Sequence, residues 1–202
     1  MTKVCLLDYG SGNIRSIYNL IKFLGYNCQI SNNDQVIKNS SHIILPGVGA
    51  YEAAMKKIKN KISIKNLENE IFIKKKFFLG ICVGMQILSE KSSEFGNSQG
   101  LGWIKGEVKK IKSKILPHIG WNEIIIKKNS QIINNIDNKT DFYFVNSYHF
   151  DVEDNKLIIA KTKYGESFCS ILQKGNIFGA QFHPEKSQES GKTFIKNFLM
   201  LK

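Results

Sequence analysis

At 202 residues, 42% of them hydrophobic, the chain can bury the core of one sizeable α/β domain, 1–202, without disulfide support. Its formal net charge of +12 is spread over short lysine groups such as Lys56-Lys57, Lys74 to Lys76 and Lys109-Lys110; with no nucleic-acid motif or aromatic-interleaved basic stripe beside them, these read as a solvated surface and exclude a nucleic-acid partner. No apolar run nears the ~18 residues of a membrane span and no signal-peptide pattern precedes the strand-like KVCLLDYG, so the expectation is a cytoplasmic protein with no membrane partner.

The chain opens with a buried-strand pattern, Val4 to Leu7, and a turn from Asp8 to Gly12. Asn13 can cap a helix whose apolar residues Ile14, Ile17, Tyr18, Ile21 and Leu24 recur at helical spacing, with Gly25 as its stop. The glycines of the turn do not continue as G-x-G-x-x-G, since Arg15 stands where a further glycine is needed, so a structural tight turn is expected there and not a dinucleotide site. A short strand follows around Cys28 to Ile30, and another at His42 to Leu45 runs into Pro46-Gly47-Val48-Gly49 and a helix through Tyr51, Ala54, Met55 and Ile58. Taken alone, the two glycines mark either an ordinary turn or a backbone that turns an amide toward a ligand at a strand's carboxyl end. His42 reads as a residue at the edge of its strand.

A helical stretch, Ile64 to Ile73, leads to Phe77 through Gln86, FFLGICVGMQ. Here Cys82 is flanked by Gly80 and Gly84 and followed by a stretch of helical character, the G-x-nucleophile-x-G elbow with cysteine in place of serine. The nucleophile of such a corner sits in a strained strand-to-helix turn, and a side chain at either glycine would meet the backbone. The Val83 amide and the positive end of the following helix face the same space, offering a donor to a developing oxyanion. With an elbow on the next strand, Gly47, Val48 and Gly49 become the natural source of a second oxyanion donor. The remaining cysteines, Cys5, Cys28 and Cys169, lack C-x-x-C or zinc spacing and read as reduced thiols; no metal and no cofactor is expected.

The second half changes character. Short apolar runs, Val108 to Ile111, Ile124 to Ile126, Phe142 to Val145, Leu157 to Ala160, Phe168 to Leu172 and Ile177 to Gln181, predict hairpins, and Phe194, Ile195, Phe198 and Leu199 mark a terminal helix. Together these predict a mainly parallel central sheet with right-handed crossovers, flanked by helices and extended by antiparallel strands. In GAQFHPEKS, Pro184 biases His183 toward extended backbone, where positions two apart share a side, so His183 and Glu185 can approach each other. An imidazole to move the thiol proton and a carboxylate to fix its tautomer complete a Cys-His-Glu relay. Neither His118 nor His149 is taken as the base: His118 has no carboxylate two positions on, and His149, which has Asp151 there, lies in no such His-Pro segment.

LPGVGAY, GICVGMQ and QFHPEKS, in this order and spacing, resemble the class I (triad) glutamine amidotransferases, a flavodoxin-like fold; DYGSGNIRS, PHIGWNE and YFVNSYH narrow the resemblance to the glutaminase subunits of imidazole glycerol phosphate synthase. The resemblance implies that Cys82 attacks the carboxamide of glutamine, with His183 as base and acid and Glu185 as its orienter. Gln86 and Glu94 then match residues that hold the amino-acid end of the substrate, with Ser147 and Tyr148 as backbone contacts. It also implies a (β/α)₈ cyclase partner, in a heterodimer, that receives the ammonia and makes imidazole glycerol phosphate and an aminoimidazole carboxamide ribotide for histidine biosynthesis. Asn13, Trp121, Tyr143 and Lys186 match positions near that interface. One departure stands out: Asn146 occupies the place of the histidine in the family's FVHSY, which leaves the triad untouched and bears on how the oxyanion loop or interface is held. It keeps open a paralogous ammonia supplier for amidino-sugar synthesis on surface polysaccharides. A cysteine α/β-hydrolase shares the elbow, but there the acid usually precedes the histidine.

Overall fold

A computed structural model describes residues 2–202. Its first half alternates strands and helices: β1 (Lys3–Leu7), α1 (Ile14–Phe23), β2 (Asn27–Ser31), α2 (Asp34–Asn39), β3 (His42–Leu45), α3 (Tyr51–Lys61), α4 (Ile64–Glu68), β4 (Phe77–Ile81) and α5 (Val83–Gln86). Then come β5 (Lys91–Ser92), β6 (Ser98–Gln99), β7 (Gly106–Lys110), β8 (His118–Glu123), β9 (Ile125–Ile126), β10 (Asp141–Asn146), β11 (Tyr148–Val152), β12 (Ile158–Tyr164), β13 (Glu166–Lys174), β14 (Ile177–Ala180) and α6 (Gln188–Leu199).

The main sheet has eight strands in the order β2-β1-β3-β4-β14-β13-β12-β9. The first five run parallel and the last three are joined antiparallel, so the expected mixed α/β fold is present. β1, β3 and β4 are apolar on both faces because helices cover both sides of a parallel sheet. α1 turns Ile14, Ile17 and Ile21 inward, and α6 does the same with Phe194, Ile195, Phe198 and Leu199. Two smaller sheets, β10-β8 and β11-β7-β5-β6, stand beside the main one.

Four adjacent strands, β1, β3, β4 and β14, release at one edge the Asp8–Gly12 turn, the Pro46–Gly49 loop, the elbow and the His183 segment. This is the carboxyl edge, where open α/β sheets form their ligand crevices. The parallel order therefore gathers segments that lie far apart in sequence.

Several expectations need correction. Asn13 precedes α1 but its side chain caps nothing, because its Oδ1, the capping acceptor, takes the Ser11 hydroxyl while its NH₂ donates to a carboxylate across the crevice. The Ile64–Ile73 stretch is not one regular helix: α4 ends at Glu68 and a wider π-type turn carries Asn69–Ile73. The helix after Cys82 is a single turn, closed by bonds from Leu88 N–H to the Met85 carbonyl and Ser89 N–H to the Gln86 carbonyl, so its positive end amounts to its first amide.

Candidate active site

Cys82 stands between β4 and α5 with φ 53 and ψ −112, a conformation that strains any residue carrying a Cβ. Backbone packing enforces it. A Cβ on Gly80 would collide with the Gly84 carbonyl, and one on Gly84 would collide with the Leu45 carbonyl of β3. The amides of Met85 and Gln86 return to the Cys82 carbonyl, while the Val83 amide, at the first helical position, has no intrahelical partner.

His183 and Glu185 leave β14 in a short 3₁₀ turn opened by Pro184. His183 Nδ1 and Glu185 Oε1 are 2.9 Å apart, and both side chains are buried. The same Oε1 accepts Asn13 Nδ2 at 3.0 Å, and Asn13 Oδ1 in turn accepts the Ser11 hydroxyl at 2.8 Å. The His183 backbone is pinned as well: its amide donates to the Tyr143 carbonyl of β10 at 2.9 Å, and its own carbonyl accepts the Ser187 hydroxyl at 2.7 Å.

Electrostatics separate this histidine from the other three. Burial pushes His42 down to about 4, and it also holds His118 and His149 below the usual imidazole range. For His183 burial acts the same way, but the neighbouring Cys82 sulfur and the Glu185 carboxylate outweigh it and raise the imidazole to about 10. Burial likewise works against the Glu185 carboxylate, and its bond to His183 prevails and holds it below the usual carboxylate range. Burial pushes the thiols of Cys5, Cys28 and Cys169 up to about 12.

Cys82, Val83 and His183 line a cavity of about 250 Å³ together with Val48, Gly49, Gln86, Glu94, Pro117 and residues 145–148. That suits one amino acid better than a drug-sized ligand, whose clefts run to roughly 300–1,000 Å³. Three larger depressions, of about 620, 680 and 500 Å³, lie around α2, at the amino ends of β1, β3 and β4, and beside β2; Cys28 lines the last, but none has an oriented imidazole–carboxylate pair.

Gln86 spends both Nε2 protons inside the protein, on the Tyr148 carbonyl at 2.9 Å and on Gln181 Oε1 at 3.1 Å, so its Oε1 is the group left for a ligand. One Glu94 oxygen accepts the Tyr51 amide at 2.8 Å, tying the segment after β5 to the start of α3. The Ser147 carbonyl accepts the Ile111 amide, and that of Tyr148 also accepts Asn146 Nδ2; with two donors on it, the Tyr148 carbonyl has no lone pair left for a ligand. Through that bond Asn146 helps set the cavity wall.

The Pro46–Gly49 loop divides into a fixed part and a free part. The Tyr9 hydroxyl donates to the Pro46 carbonyl at 2.7 Å, and a Cβ on Gly47 would come within 2.6 Å of the Gly84 nitrogen and 2.9 Å of the Tyr9 hydroxyl. Gly49, at φ +94, has nothing within 4 Å of its Cβ position, and Val48 is 39% exposed. Tyr9 gave no signal in the sequence beyond its place in a turn, because its partner lies 37 positions away.

Trp121 and Tyr143 face each other across β8 and β10 with ring centroids 5.9 Å apart, and the Lys186 ammonium sits 5.6 Å from the Tyr143 ring. Ile119 and Trp121, 59% and 47% exposed, make this strand pair an apolar surface. Asn13 is half-buried and turned to Glu185, which gives it a structural tie that the sequence did not reveal.

Fold and site together define a glutamine amidotransferase of class I, and residues 5–201 match the glutamine amidotransferase class-I family. The chain is 41% identical to the imidazole glycerol phosphate synthase subunit HisH of Leptospira borgpetersenii, over 97% of this chain and 98% of that one. It is 42% identical to the HisH of Caldanaerobacter subterraneus, over 96% and 95%. Among solved structures, PurLQS from Thermotoga maritima shares the fold with a TM-score of 0.77 at 19% identity, over 98% of this chain and 97% of that one. The chain belongs to the HisH family of imidazole glycerol phosphate synthase subunits.

Proposed function

We propose that residues 1–202 act as one glutaminase domain in which Cys82 attacks the carboxamide carbon of glutamine. The observation that carries this is the buried His183–Glu185 pair, 2.9 Å apart, on the same cavity as a cysteine held in a left-handed elbow. His183 takes the thiol proton and delivers it to the leaving ammonia, and a glutamyl thioester forms; a water activated by the same imidazole then releases glutamate. Glu185 holds the imidazole in one tautomer. The Val83 amide is one oxyanion donor. Because Tyr9 fixes the Pro46–Gly47 peptide, the second donor falls to the Val48 or Gly49 amide and not to Gly47. Gln86, Glu94, Ser147 and Tyr148 hold the substrate.

The β8–β10 patch of Trp121 and Tyr143, with Lys186 and Asn13, is the docking face for a (β/α)₈ cyclase. In that cytoplasmic heterodimer ammonia passes to the cyclase site, which makes imidazole glycerol phosphate and aminoimidazole carboxamide ribotide. The free half of the loop lets the partner gate the reaction: ligand-bound cyclase biases the mobile amide inward. Losing one oxyanion donor costs about 10²–10³ in rate, so glutamate release should rise by at least that order from the isolated chain to the ribotide-bound complex. A chain equally active alone and in complex would remove the gate; failure of every histidine-pathway cyclase to bind would move the assignment to the amidino-sugar paralogue.

A further inference from the structure

Gln181 follows β14 and is fully buried at 0% exposure, two residues before His183. Its backbone amide is taken by the Ser170 carbonyl at 2.9 Å. Its side chain reaches the site from behind: Nε2 lies 3.7 Å from Cys82 Sγ, and Oε1 accepts Gln86 Nε2 at 3.1 Å.

The direction of this chain of bonds is fixed at its far end. The Tyr148 carbonyl can only accept, so the Gln86 amide must present its NH₂ there. The second proton of that NH₂ then points at Gln181 and demands an oxygen. With Oε1 so committed, Gln181 has only its own NH₂ to offer the sulfur. Reversing Gln181 would set donor against donor, and reversing Gln86 would set acceptor against acceptor, in a buried place, which costs far more than the bond itself contributes.

We propose that Gln181 is a positioning residue for the nucleophile: it donates N–H to the Cys82 sulfur, and Gln86 keeps that donor aimed. An N–H to a neutral thiol is weak, and the same N–H to a thiolate is charge-assisted. The bond therefore selects the ionised, attacking form of the sulfur where water has little access. It also fixes the Sγ rotamer from the side opposite the substrate. Because Gln86 lines the cavity, the groups that meet the substrate and those that aim the sulfur form one connected unit. This rests on the reading of Cys82 as nucleophile.

The test uses Gln181→Met, close in length and without either hydrogen-bonding group, and Gln181→Glu, which can still accept from Gln86 but turns an oxygen toward the sulfur. Cys82 alkylation by iodoacetamide is followed against pH by peptide mass spectrometry, and glutaminase kcat and KM are measured in the cyclase complex. Gln181→Met should slow alkylation at pH 7 about tenfold, the scale of one charge-assisted hydrogen bond, while the limiting rate at high pH stays within about twofold. Over the same change kcat should fall about tenfold and KM by less than about twofold. Gln181→Glu should be slower still at pH 7, and it carries the test if the methionine variant does not fold. A wild-type alkylation profile in either folded variant, or a raised KM at unchanged kcat, would overturn the proposal. Cys82 labelling no faster than Cys5, Cys28 or Cys169 in the unmodified chain is a separate outcome, and it would remove the nucleophile assignment itself.

Discussion

The elbow and the Pro46–Gly49 loop face one cavity from neighbouring strands and are built in opposite ways. Around Cys82 the glycines are wedged against backbone, Gly80 against Gly84 and Gly84 against Leu45. In the loop Gly47 is wedged, whereas a Cβ on Gly49 would meet nothing within 4 Å and Val48 is exposed. A strained nucleophile persists only where its surroundings over-determine it. The proposed gate needs a donor with room to turn. On that proposal the difference separates what stays still in the reaction from what moves.

The hardest blow to this contrast is Gly84→Ala. The added methyl has no free space, so β3 and α5 must part; the expected fall in Tm is about 10 °C or more, or no folded protein at all. A variant melting within a few degrees of the parent would mean the elbow is not clamped. Next come the proton-handling residues on the fixed side. His183→Ala should remove glutamine hydrolysis on the order of 10⁶-fold and Glu185→Gln on the order of 10⁴-fold, since the carboxylate orients the imidazole without exchanging its proton. Full activity of Glu185→Gln in the cyclase complex would make the His183–Glu185 contact a mere turn. The smallest effect is expected from Gly49→Ala. Positive φ strains alanine by roughly 1–2 kcal/mol, but nothing is struck, so Tm should drop by less than about 5 °C while partner-stimulated turnover falls about tenfold. If this variant lost as much stability as Gly84→Ala, the loop would be as fixed as the elbow.

Much of the site was readable because its chemistry is local. Cys82 between two glycines, two glycines after Leu45, and His183 two residues from Glu185 each announce a backbone requirement within a few positions. What escaped depends on partners distant in sequence. Gln181 lies 95 positions from Gln86 and 99 from Cys82, and the strand pattern around it ends without hinting that its amide turns inward. Asn13 looked like a cap, the usual use of asparagine before a helix; Glu185, 172 positions on, takes its side chain instead. Among the elements, α2 was missed although Asn33 caps it by accepting the Gln35 amide; a single buried residue, Ile37, leaves almost no periodicity to find. β8 was missed because HIGWNE shows no clean alternation, with Gly120 at φ +133 and both Ile119 and Trp121 turned outward.

The twisted backbone at Cys82 also bears on how the chain matures. A residue in such a conformation stores about 1–3 kcal/mol, a noticeable share of the roughly 5–15 kcal/mol by which a domain outweighs its unfolded state. That energy is supplied only when the Leu45 carbonyl closes on Gly84 and the Gly84 carbonyl on Gly80, contacts between strands that must first be laid side by side. Before then the cysteine is free to relax. If Cys82 is the nucleophile proposed above, the corner that presents its sulfur exists only once these strands have docked, and a half-assembled copy lacks it.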